Sequence, residues 1–254
     1  MAEPVAVLAT TGLVFARVGA LVLGMPVFSA DGVPKAIPVF AALGVTLIVA
    51  PAQPLVETPD NLGLLIFALA GELLVGLLAG LTVRAIFASL AMASEIMAMQ
   101  MGLAMATMLN PLEKQQSGPV GSLASWAATL TFIAQDLHLR CIEGVAASFH
   151  TMPAGTWDPN LALLRHLPEA LEAAVHLGVQ LAGPVLALVW FVNVLVAMLA
   201  RLAPKMNVFF SIGMTVTSVL GILMMAPSLP WILAVHSAAL ATAVERLGLA
   251  WGPP

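Results

Sequence analysis

Few side chains in this sequence are placed to do chemistry. His166, Glu169, Glu172 and His176 follow one another at intervals of three, three and four, which puts parts of one helix face together. Their chemistry would be divalent-metal binding, although solvated polar residues at the start of a helix explain the pattern with fewer assumptions. The single cysteine, Cys141, has no partner for an internal disulfide, and no Cys/His cluster has metal-site spacing. HExxH, G-x-S-x-G and P-loop signatures are absent. The expectation is therefore a protein that is not an enzyme and needs no metal or cofactor. Two charges interrupt apolar runs, Arg17 and Glu72. A charge at membrane depth costs at least a few kcal/mol, so each must face protein or water. For Arg17 the choices are a conduit-lining or subunit-contact charge, a structural pair, or a snorkelling side chain. For Glu72 the structural reading is preferred.

A different signal lies in "MAMQMGLAMATMLNPLEKQQSG" (97–118), which opens with five methionines in twelve positions and ends in a polar loop. On a helix, Met97, Met101, Met105 and Met108 share one face. Methionine is unbranched, flexible and polarizable, so the stripe reads either as a deformable seal at a constriction or as packing between membrane helices. A helix inside a membrane protein breaks only where its freed backbone groups meet protein or water. The Asn110-Pro111 break therefore points to a water-accessible cavity or a membrane surface.

The elements that must position these residues are apolar helices. Of 254 residues, 61% are hydrophobic and only 9% charged, against about 25% charged in soluble domains. Nine basic and thirteen acidic side chains cannot cover a chain of this length, so most of its surface must face lipid or protein. The basic residues form no patch, which argues against a nucleic-acid partner. The fold class is all-α and membrane-integral. Apolar runs predict about six hydrophobic helices: 5–27, 33–51 (short), 62–83 continuing past Arg84 towards Leu109, 120–135, 170–200 and 208–226. A weaker amphipathic stretch follows at 231–247, and 136–169 reads as helical segments at an interface. Gly76 and Gly80, four apart, suit close helix packing inside the bundle. "RLAPKMNVFF" (201–210) reads as a tight turn, with Pro204 ending a helix. Glu3 and the lack of a basic start argue against a signal peptide. Six crossings put five basic residues on one side and three on the other, a slight bias placing both termini outside the cytoplasm.

Four stretches resemble one family. "ELLVGLLAGLTVRAIFASLAMASEIMAMQMGLAMATMLNP" (72–111) is similar to the central region of the FliR family, subunits of the bacterial flagellar type III export gate, and "FARVGALVLGMPVFSADGVPKAIPVFAALGVTLIVAP" (15–51) to its N-terminal region. "EGVAASFHTMPAG" (143–155) resembles the family segment that ends in a Pro-x-Gly turn. "ARLAPKMNVFFSIGMTVTSVLGILMM" (200–225) resembles its Ala-Pro-x-x-Asn-x-Phe hairpin. The match runs in order over nearly the whole chain. One departure is "GMTVTSV" (213–219), where family members often carry a Pro and a Lys.

The resemblance implies a fold of kinked helical hairpins. A FliP-like part covers 1–180 and a FliQ-like C-terminal hairpin 181–254, with helices lying largely above the usual membrane plane. It implies a subunit assembled with FliP-like, FliQ-like and FlhB-like partners in the inner membrane at the flagellar basal body, passing unfolded flagellar proteins. The central loop would plug the pore: Met105, Met108, Leu109, Asn110, Pro111, Leu112, Glu113, Lys114, Gln115, Gln116, Ser117 and Gly118. Met97 and Met101, with Met105 and Met108, would seal it. Arg17, Pro204, Lys205, Asn207 and Phe209 would make subunit contacts. The alternatives are the homologous subunit of a virulence injectisome, a small-solute transporter, and a purely structural scaffold.

Overall fold

A computed structural model of the chain describes residues 2–28, 33–56, 62–103, 118–156, 162–202 and 213–251. Among these the architecture is helical: α1 (Ala2–Gly24), α2 (Ala36–Val49) running into a 3-10 turn (Ala50–Ala52), α3 (Leu62–Gln100), α4 (Pro119–Ala134), α5 (Leu137–Thr151), α6 (Ala162–Leu202) and α7 (Met214–Trp251).

Four of these helices, α1, α3, α6 and α7, are long and apolar enough to cross a membrane. The expectation of six crossings is corrected here. The runs at 33–51 and 120–135 do form helices, but of 14 and 16 residues, short of the roughly 20 that a bilayer core requires. The loop assignments that relied on crossings by α2 and α4 no longer follow. Helices α3, α6 and α7 have the opposite excess. At 39, 41 and 38 residues and about 1.5 Å per residue they reach roughly 57–62 Å, about twice the ~30 Å hydrocarbon core.

Two boundaries also differ from expectation. The helix carrying the methionines stops at Gln100, well short of Leu109, because Gly102 takes a left-handed conformation (φ +76°). The Leu103 N–H then donates to the Ala98 carbonyl (3.0 Å) and the Gly102 N–H to that of Met99 (3.1 Å), the paired bonds of a Schellman cap. The run at 208–226, from Met214 onward, and the stretch at 231–247 belong to one helix, α7, which continues through Pro227 and Pro230. Between the prolines the Ser228 hydroxyl donates to the Met224 carbonyl of the preceding turn (2.8 Å).

The chain divides into two compact units, each built from separate segments: Met1–Ile86, Phe132–Glu172 and Ala239–Pro254 in the first, Phe87–Thr131 and Ala173–Ala238 in the second. Residue 180 lies inside α6, so the expected division between 1–180 and 181–254 falls within a helix and not at a loop. In the first unit α1 packs on α2 and α5. Helix α2 buries the narrow stripe Pro38, Ala42 and Thr46 and exposes Ile37, Val39, Phe40, Leu43, Leu47 and Ile48. Small residues inside and large apolar residues outside are the arrangement for a helix whose surroundings are themselves apolar.

Candidate functional site

The charged centre of the first unit forms where α1 crosses α3. The helices meet backbone to backbone. A Cβ on Gly76 would stand 2.1 Å from the Arg17 carbonyl oxygen, and one on Gly24 would stand 2.6 Å from the Gly80 Cα. The two glycines four apart therefore make the close approach expected of them. That approach brings Arg17, 1% exposed, against Glu72, 3% exposed.

The pair is bidentate. Arg17 Nε donates to Glu72 Oε2 and Nη2 to Oε1 (3.0 Å), and Nη1 donates to Ser148 Oγ (2.9 Å) and the Met152 carbonyl (3.1 Å). The Ser148 hydroxyl in turn donates to the Val145 carbonyl (2.6 Å). The guanidinium carbon lies 4.1 Å from the centre of the Phe149 ring, so an aromatic face covers the cation. Glu72 Oε1 also accepts the Gly155 N–H (2.8 Å). That donor is presented by a Pro153–Thr156 turn closed by the Thr156 N–H to the Pro153 carbonyl (3.1 Å), with Gly155 at φ +82°, the position where a type II turn needs glycine. Leu13 and Val56 flank Gly155, and the Val56 N–H donates to Thr10 Oγ1 (3.0 Å). The ion pair thus joins α1, α3, α5 and the turn after α5, while the segment after α2 packs on that turn and bonds to α1.

Arg17 was a candidate subunit contact. The structure commits four of its donor bonds to groups of its own chain, and Glu72 is the structural partner. Sequence reasoning did not find Ser148, Phe149 or the Met152 carbonyl. The available signal was the 143–155 segment, whose Pro-x-Gly turn was noted without its target.

The second unit holds the described part of the methionine stripe. Met97 and Met101 are buried, at 3% and 0% exposure. Met101 fills a notch at Gly221 of α7, and Met92 fills one at Gly178 of α6. Both are interhelical packing contacts within the chain. Of the proposed plug, Gly118 is described, its carbonyl accepting the Ser122 N–H (2.9 Å) at the start of α4. Met105, Met108, Leu109, Asn110, Pro111, Leu112, Glu113, Lys114, Gln115, Gln116 and Ser117 lie outside the described residues, as do Pro204, Lys205, Asn207 and Phe209. On α6, Glu169, Glu172 and His176 are exposed. Among the described residues no three His, Cys, Asp or Glu side chains converge as metal ligands would.

Residues 8–243 match the bacterial export proteins, family 1. The flagellar biosynthetic protein FliR of Escherichia coli K12 is 30% identical over 216 residues, covering 85% of this chain and 82% of the relative. FliR of Pectobacterium carotovorum is 32% identical over 228 residues (86% and 83%). FliR of Caulobacter vibrioides is 32% identical over 219 residues (85% and 87%). With residues 8–243 of its 254 matched, the chain belongs to the bacterial export proteins of family 1 and counts the FliR proteins among its relatives.

Proposed function

We propose that this chain is a subunit of the bacterial flagellar protein export gate, seated in the inner membrane at the flagellar basal body and passing unfolded flagellar proteins. The observation that carries this reading is the family match along residues 8–243 with FliR relatives at 30–32% identity. Physical features support it. The outward side of α2 is large and apolar, which suits lipid or neighbouring subunits. Helices about twice as long as a bilayer core is thick suit an assembly that rises out of the membrane. FliP-like, FliQ-like and FlhB-like proteins are the partners. The segment from Met105 to Gly118 plugs the pore at rest, with Gln115, Gln116 and Ser117 making contacts free of fixed charge that break and re-form. Pro204, Lys205, Asn207 and Phe209 contact neighbouring subunits.

Deletion of the gene and complementation test this. Flagellin secretion and motility should vanish and return with the wild-type chain. Normal secretion without the gene would overturn the flagellar role, and loss of effector secretion alone would indicate an injectisome subunit.

A further inference from the structure

We propose that the C-terminal end of α3 is held to the first turns of α7 by a releasable latch, with Gly102 as its pivot, and that export requires the latch to open. The inference rests on the export reading above.

Three contacts meet at one place in the second unit. The Met101 side chain occupies the space at Gly221, where a Cβ would stand 2.4 Å from Met101 Cγ and 2.5 Å from its Sδ. The Met101 carbonyl faces the Ser218 hydroxyl. Met214 lies over Gly102, its Cγ 3.0 Å and Sδ 3.7 Å from the place a Cβ would take. Each contact grips without fixing. The thioether is unbranched and polarizable, so it slides out of a glycine notch with little steric penalty. The Ser218 hydroxyl has a second acceptor, the Met214 carbonyl of its own helix at 2.8 Å. Its single proton therefore stays bonded when Met101 leaves, and no buried donor is orphaned. Glycine at φ +76° is the residue that tolerates a change of backbone direction. The fastening in the first unit is of the opposite kind: a bidentate ion pair that loses a buried charge's partner if it opens. The latch sits at the root of the segment that begins after Leu103, so whatever displaces that segment acts first on Gly102 and Met101.

The test is a reversible lock. A Cβ at Gly221 would stand 3.5 Å from Met101 Cβ, within the about 3.5–4.5 Å that a disulfide spans, so Met101→Cys/Gly221→Cys should close under mild oxidant. In the complemented deletion strain, flagellin secretion should fall at least tenfold on oxidation and return with reductant, while oxidised wild type is unaffected. Secretion that continues with the disulfide fully formed overturns the latch, and so does failure of the disulfide to form. If the reduced double variant does not assemble, Ser218→Ala decides. Amide exchange across 101–103 in the purified complex should rise several-fold, and unchanged exchange overturns the proposal. A wild-type chain that fails to restore secretion sinks the export reading instead, so the two failures are separable.

Discussion

Arg17 shows how one residue's cost is shared across a fold. Its charge is stabilised by a carboxylate, a hydroxyl, a carbonyl and an aromatic face, all inside the chain. Removing one member of a buried pair costs about 3–5 kcal/mol, while removing both is far milder. Arg17→Leu should therefore cut the yield and thermal stability of the purified complex severely. Arg17→Lys should lose less, because a point charge keeps the attraction but not the fork. Arg17→Leu/Glu72→Leu should recover most of the loss, and the unpaired Gly155 N–H should keep it below wild type. A double variant no better than the single would refute a self-contained pair. Cys141 offers a second check. It lies in α5, outside the four helices long and apolar enough to cross a membrane, and burial pushes its thiol from 9.0 up to about 12. Its thiolate is the reactive form, so it should resist maleimide at pH 7–8 in the native complex and react once unfolded. Because the folded value is the raised one, its contribution to stability is complete below pH 9 and lost as pH climbs from 9 towards 12.

At the scale of elements, the contacts decide which sequence signals could be read. Gly76 and Gly80 were legible because their four-residue spacing encodes close approach. The pairing of Arg17 with Glu72 was half legible: each charge in an apolar run demanded a partner, but nothing local says that residues 55 apart meet. The methionine stripe misled about length, since the periodicity of the sequence runs on past Gly102 while α3 ends at Gln100. The proline pair in α7 misled the other way, because proline ends helices in water more readily than in apolar surroundings. The segment "GMTVTSV" (213–219) supplies Met214 and Ser218, whose contacts with Gly102 and Met101 no sequence rule foretold. Two predictions belong here. Gly76→Val should abolish the α1–α3 crossing, since its side chain would meet backbone that cannot move aside. The cost should reach or exceed the ~1–3 kcal/mol typical of overpacking, read as loss of assembled complex. Met101→Ala should lower thermal stability by about 2–5 kcal/mol as a buried large-to-small change, whereas Met105→Ala/Met108→Ala should instead raise membrane conductance at matched complex levels. Deleting residues 110–117 should leak more than either while leaving assembly largely intact. A tight membrane in the deletion strain would remove this segment as the plug.

For the whole molecule, the governing fact is surface. A chain with 9% charged residues and long helices with apolar outer faces has little to offer water. Expressed alone it should be recovered poorly or aggregated, and co-expression with FliP-like and FliQ-like partners should rescue it. Native mass spectrometry of the co-expressed assembly is the measurement, and a stable lone monomer would contradict it. All-α membrane character was plain from composition, but the number of crossings was not: hydropathy counts apolar runs, and α2 and α4 are apolar without being long. The Arg17–Glu72 pair also has a consequence in time. The chain is made from its N-terminus, and its cation leaves the ribosome 55 residues before its anion. At ~5–20 residues per second, that is about 3–11 s during which α1 carries an uncompensated charge. For that interval the first helix cannot be released into lipid at low cost. It has to wait beside the insertion machinery until α3 arrives, so ribosome-stalled chains ending before Glu72 should still crosslink to the translocon through α1, and chains extending well past it should not.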